Sequence, residues 1–180
     1  MPTIITHHRP HLDDACAAWL LSRFRPGFAE AKIEFIVNNF LPTDVDLDDA
    51  KVYVGVGRGR FDEHKGDLNE CSASLVWKEL RPSISDCVRH HAVDKLVEWV
   101  RLEDTGRLKA EPNRQFGLVS AIDGCYMQRR SSEDSMEFVF KYLDCLLLSL
   151  MDIVELEHDW AKRTEFDSAY GRAVALTTDS

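Results

Sequence analysis

The 180-residue sequence predicts an α/β fold: a parallel sheet with flanking helices and a long C-terminal helix. Two observations carry this. Short β-branched runs at residues 3–6, 33–37 and 52–56 alternate with helical patterns, as in a parallel sheet. From residue 135 to 162, apolar side chains recur every three or four positions, which is the period of a helix. The size suits one domain with a substantial core, and 44% hydrophobic with 29% charged residues is an ordinary globular composition.

In chain order, residues 3–6 form the first strand and run into the polar turn His7-His8-Arg9-Pro10-His11. A helix follows over residues 13–24. Ala17, Leu20, Leu21 and Phe24 lie on one face, Asp13 and Asp14 sit where the helix dipole favours acids, and Pro26-Gly27 ends it. Residues 33–37 and 52–56 form the second and third strands, joined by the acidic connection 44–49. A Gly57-Arg58-Gly59-Arg60 loop leads through Phe61-Asp62-Glu63-His64-Lys65 to a helix over residues 72–80, with Ser72 as its N-cap.

Residues 84–102 form a further helix, with Val88, Ala92, Leu96, Val97 and Val100 inward and Asp104-Thr105-Gly106 as its exit. Beyond a loop around Pro112, helices cover 116–126 and 135–162. The latter carries Met136, Val139, Leu143, Leu146, Leu150, Ile153 and Trp160 near one stripe, which packs on the core or pairs two copies as a homodimer. Residues 170–180 show no pattern. The division is then an α/β domain over 1–130, the long helix over 131–165 packed on it, and a tail over 166–180.

The net charge of −9 excludes a protein that coats duplex nucleic acid by bulk electrostatics. Five cysteines with no CxxC pair argue against a disulfide framework and for a reducing cytoplasm. No apolar run is long enough to cross a membrane, so a soluble protein is expected.

The chemistry concentrates in two clusters. His7-x-x-x-His11-x-Asp13 puts three ligand types on a strand-to-helix turn, where a short excursion converges them on one point. Imidazole with carboxylate suits Mn, Fe, Co or Zn better than Ca, and the absence of thiolate near the motif argues against a structural zinc site. The same turn also reads as a plain polar turn whose Asp13 caps the helix. The second cluster, Asp62-Glu63-His64, follows another strand, and a parallel sheet brings both to its carboxyl edge. Asp104 offers a further carboxylate, or forms a turn. Arg58, Arg60 and Lys65 flank the second cluster, either clamping phosphate oxygens beside approachable glycine backbone or lying solvated on a turn. His90 and His91, adjacent on a helix, cannot face one point and stay outside the site.

These residues resemble the DHH phosphoesterase superfamily, whose first motif reads His-x-x-x-Asp-x-Asp, with His7, His11 and Asp13 on that spacing. The nearest resemblance is to the melanocyte-proliferating-gene family of DHH-like proteins. It runs from Thr6-His7 and His11-Leu12-Asp13-Asp14 through Phe61-Asp62-Glu63-His64, Ser72-Ala73-Ser74-Leu75-Val76-Trp77 and Asp104-Thr105-Gly106 into the long helix. The sequence departs from the family pattern at Gly55, where the family has a metal-bridging Asp. It departs again at Glu63, in place of the first histidine of the name-giving motif, and at His11, where many members have Asp. It ends about where relatives begin a second domain.

The resemblance implies one or two divalent cations, manganese by analogy, held by His7, His11, Asp13, Asp62, Glu63, His64 and Asp104. It implies hydrolysis of a nucleotide, a short oligonucleotide or a small phosphoester. Asp62 would move into the bridge, His64 would bind metal or phosphate, and Arg58 or Arg60 would stabilise the developing phosphoryl charge. The alternatives are a catalytically impaired metal- or nucleotide-binding regulatory module, and a metal-dependent hydrolase of non-phosphate substrates.

Overall fold

A computed structural model describes residues 1–37, 42–66, 69–108 and 114–176, without the side chains of Lys65 and Arg114. The fold is mixed α/β. Strand β1 (Thr3–His7) leads into helix α1 (Leu12–Phe24), strand β2 (Lys32–Ile36) and strand β3 (Lys51–Tyr53). The three strands form one parallel sheet in the order β2-β1-β3, with Ile4 opposite both Ile33 and Val52. All three carboxyl ends therefore lie at one edge.

The third strand is shorter than the sequence predicts. Beyond Tyr53, Val54 makes a single parallel bridge to Phe61, because Gly55 at φ +65° turns the chain out of extended geometry. After it come helix α2 (Ser72–Leu80), helix α3 (Cys87–Asp104), helix α4 (Leu118–Met127) and helix α5 (Ser132–Ala161).

Helix α1 departs most from expectation. Rather than burying one face, it is buried all round from Leu12 to Ser22. The reason is in the side chains: after Asp14 there is no charge until Arg23, and Ala15, Cys16, Ala17 and Ala18 let neighbours approach closely. It packs against the sheet side through Ile4 and Val52, and against α2, α3 and α5. Trp19 is fully buried, and its indole N–H donates to Asp144 on α5 (2.8 Å), which also takes two 2.8 Å bonds from Arg23.

Helix α2 matches its prediction, but Cys71 rather than Ser72 is its N-cap. Helix α3 begins three residues later than predicted, since Arg81–Ser83 makes a 3-10 turn and the Asp86 side chain caps the helix by accepting from Arg89 N–H (3.0 Å). It also extends to Asp104, so that residue ends the helix rather than sitting in its exit loop. The loop around Pro112 lies outside the described residues.

Helix α5 starts at Ser132, where Ser131 caps it, and its 30 residues span about 45 Å. Met136, Val139 and Leu143 are buried, whereas Ile153 and Trp160, expected on the packed stripe, are 43% and 48% exposed. The stripe leaves the core because the helix outruns the domain it packs on. Where the sequence offered only a patternless tail, an antiparallel hairpin forms from strand β4 (Thr164–Ser168) and strand β5 (Gly171–Ala175). Residues 177–180 lie outside the described residues. Among the described residues, no helix is long and apolar enough to cross a membrane.

Candidate metal centre

Five segments meet at the carboxyl edge of the sheet: the end of β1, the first turn of α1, the 3-10 turn Glu63–Lys65, the start of α2 and the end of α3. His7, the last residue of β1, is buried and held by both ring nitrogens. Nδ1–H donates to the His8 carbonyl (2.8 Å), so Nε2 is the nitrogen that faces Asp14 Oδ2, also at 2.8 Å. This is the arrangement by which proteins orient a histidine ligand: one nitrogen fixed by a carbonyl, the other turned to the site. Burial alone would lower the His7 pKa, but the hydrogen bond and charge of Asp14 outweigh it and raise it.

Asp14 is the candidate donor that sequence reasoning missed. Its Oδ2 also accepts the His11 backbone N–H (3.1 Å), tying the helix start to the site, and its Oδ1 accepts from the Ser72 hydroxyl (3.3 Å). Gly55 explains how it fits. A Cβ at position 55 would lie 1.7 Å from Asp14 Oδ1, so the space that a side chain there would need is filled by the carboxylate of the helix. The sequence signal was the Asp13-Asp14 pair. Consecutive helical residues point about 100° apart, so two neighbouring acids serve two places.

Among the described residues the donors gather in three groups, each within 4.8 Å: His7, His11 and Asp14; Asp13, Cys71 and Asp104; and Asp62, Glu63 and His64. Of the sequence-predicted ligands, His7, His11, Asp13, Asp62, Glu63, His64 and Asp104 all fall in one group or another. Ser72 joins them: its N–H donates to Asp13 Oδ2 (3.3 Å), and its one hydroxyl proton is shared between Asp14 and the nearer Glu63 Oε2 (2.8 Å). His64, largely exposed, donates from Nδ1 to the buried Asp62 (2.8 Å), which orients its Nε2 outward. Burial lowers the His64 pKa, but that hydrogen bond and the Glu63 and Asp62 charges raise it overall.

Acid is crowded here. Burial first, and then the charges of Asp14, Asp104 and Glu63, push Asp13 well above the usual carboxylate range, against the lowering effect of the Ser72 N–H. Desolvation followed by the Asp14 charge raises Asp104, which shares a hydrogen bond with Asp13, and burial raises Glu63. Cys71, buried beside Asp13, has its thiol pushed up to about 12, first by burial and then by that charge. Crowded carboxylates of this kind favour either a proton or a divalent cation between them. The donor set fits a divalent cation.

No protein-family model, curated protein or solved structure matches this chain.

The basic residues are distributed differently from the sequence expectation. Arg60 is engaged by Asp46 (3.8 Å), Asp49 (3.4 Å) and Glu79 (3.8 Å). Arg58 is exposed, at φ +55°, and its backbone N–H donates to Asp62 Oδ2 (2.6 Å). The Lys65 side chain lies outside the described residues. Arg9 lies on the cleft side of these donors. A cleft of about 700 Å³ opens on Asp13, Asp104 and His11, with Arg9 among its lining residues and an apolar wall from Val100, Val119 and Ile122. Arg9 is placed by its backbone N–H on Ser132 Oγ (3.1 Å) and by its guanidinium over the Tyr126 ring (5.9 Å). Tyr126 in turn donates to the Pro10 carbonyl (2.8 Å).

Proposed function

We propose that the protein is a metal-dependent phosphohydrolase acting on a nucleotide, a short oligonucleotide or a small phosphoester, a DHH-like activity. The observation that carries this reading is that consecutive Asp13 and Asp14 belong to two different donor groups beside one cleft that an arginine lines. His7, His11 and Asp14 would hold one divalent cation, manganese or a similar ion, and Asp13 with Asp104 would contribute to a second. When bound, such ions neutralise charge on a phosphoryl group and make water acidic enough to attack it.

The chain's own residues do the rest. His7 keeps Asp14 in place, and Ser72 links the carboxylates of Asp13, Asp14 and Glu63. Asp62 holds His64 through Nδ1, so that a protonated His64 would offer its Nε2–H to a phosphoryl oxygen. Arg9 binds the anion from the cleft side, a role in which a guanidinium acts as a preorganised cation. The five free cysteines support a cytoplasmic location.

A second reading is a metal- or nucleotide-binding module that regulates a partner, with self-association through α5. It is favoured by the ion-paired state of Arg60 and the exposed far end of α5. Elemental analysis of unchelated protein, with a manganese-supplemented assay against phosphoesters and short oligonucleotides, separates the two. Bound metal with turnover supports the hydrolase. Metal without turnover favours the module. Turnover that survives His7→Ala together with Asp13→Ala would falsify the assignment of the centre.

A further inference from the structure

Beyond the nitrogen–oxygen ligands that the two sequence clusters contain, the fold brings a sulfur to the centre. Cys71 lies far along the chain from Asp13, yet its Sγ is within 4.8 Å of carboxylate oxygens of both Asp13 and Asp104. Three features set it apart from an ordinary core cysteine. It is fully buried, so the sulfur is shielded from solvent oxidants. It stands at the N-cap of α2, where the Ser74 backbone N–H donates to the sulfur and its own N–H is taken by Ser74 Oγ (2.9 Å). These bonds fix its rotamer toward the acids. Its two partner donors line the open cleft, which gives an ion a path from solvent to a position that is closed behind.

We propose that Cys71 is a metal ligand, and that Asp13, Cys71 and Asp104 form a mixed oxygen–sulfur position for a thiophilic divalent ion such as zinc, beside the nitrogen–oxygen position of His7, His11 and Asp14. The inference deepens the metal-dependent reading and rests on it. The argument is one of donor softness. An all-carboxylate position takes Mg or Mn readily, whereas one thiolate in three shifts preference toward Zn, Co or Fe. Binding exchanges the thiol proton for the ion: the S–H bond breaks, the S–metal bond forms, and the proton leaves to water through the cleft. Two neighbouring positions of different softness would hold two different metals. The remaining side of the sulfur position faces the cleft, which leaves room for water or substrate.

Cobalt(II) serves as the probe, because its visible bands report binding and a near-ultraviolet sulfur-to-cobalt charge-transfer band reports thiolate ligation. The full chain, with exposed Cys87 and Cys145 replaced by serine, is stripped with chelator and titrated with cobalt chloride. Visible bands together with a charge-transfer band, the latter lost in Cys71→Ser and kept in Cys16→Ala, support the proposal. Serine is a good N-cap, so the Cys71→Ser variant keeps the start of α2. Zinc affinity, measured by chelator competition, should fall at least about tenfold in Cys71→Ser and in Asp104→Asn, more than manganese affinity falls. Visible bands with no charge-transfer band, or a band that persists in Cys71→Ser, overturn the role of Cys71 and leave the metal-dependent reading standing. No cobalt bands at all overturn both.

Discussion

Helix α1 and the far half of helix α5 are built from the same kinds of apolar residue and meet opposite fates. Helix α1 is enclosed on every side and carries Asp13 and Asp14 at its buried start. Past Leu143, by contrast, α5 shows Leu148 at 65%, Leu156 at 56% and Trp160 at 48% exposure, and the hairpin after it is exposed at every described position but Ala173. The difference teaches where this molecule can hold charge without solvent. Buried carboxylates need close-packed neighbours that partner them, and the crowded carboxyl edge of the sheet supplies these.

The largest contrast should appear on truncating a tryptophan in each region. Trp19→Ala is expected to cost about 3–5 kcal/mol, through the cavity and the lost Asp144 bond, whereas Trp160→Ala should change stability by no more than about 0.5 kcal/mol. Urea unfolding of the two variants measures both, and equal losses would erase the distinction.

Next in size is Gly55→Ala. The backbone there is at φ +65° and the new Cβ would collide with Asp14 Oδ1, so strain alone costs about 1–3 kcal/mol. Asp14 must then leave its place, and metal affinity by isothermal calorimetry should fall along with stability. Lost stability with unchanged metal affinity would mean that Asp14 is not a ligand.

A graded effect follows from the acids. Asp13, Glu63 and Asp104 have folded-state pKa values raised above their ordinary values near 3.8 to 4.5, and His7 is raised above 6.5. Between the unfolded and folded values the unfolded chain binds fewer protons. The stabilisation from these groups is therefore complete below the unfolded pKa and lost as pH rises through the folded one. Metal-free protein should lose thermal stability from about pH 4 upward through neutrality on account of this centre, and a bound divalent cation should reverse the trend. Asp94 and Asp144, lowered in spite of burial by Arg81 and by Arg23, act in the other sense: their contribution is present above the ordinary 3.8 and lost as pH falls through the folded value. Thermal melts across pH, with and without cobalt, check the sign.

The smallest effect belongs to the hairpin. Ending the chain after Ala161 should move the melting temperature by a degree or two at most, since two isolated strands add little in water. A large drop would show that the arm is docked on something.

The sheet, the order of helices and the two candidate donor clusters were legible because they follow local period and spacing. β1 reads from four residues, and α2 has its predicted bounds. What escaped was whatever depends on chain segments far apart. Cys71 carries no spacing signal toward Asp13, and only the packing of α2 on α1 joins them. The all-round burial of α1 escaped because Ala and Cys are silent in a hydrophobic pattern, though they permit close approach. Arg9, read in the sequence as part of a polar turn, lines the cleft, while Arg60, nearer a cluster in sequence, is ion-paired with Asp46, Asp49 and Glu79. The hairpin has single large apolar residues, Phe166 and Val174, on its two strands and a two-residue turn at Ala169-Tyr170, too short a signal beside a helix of 30 residues.

The fit of Asp14 against Gly55 has a consequence for substitution. The two positions share one volume, so a side chain at 55 would displace the Asp14 carboxylate from its place beside His7 and Ser72. A residue other than glycine at 55 would therefore be felt first at the carboxylate of position 14, on a different element of the fold.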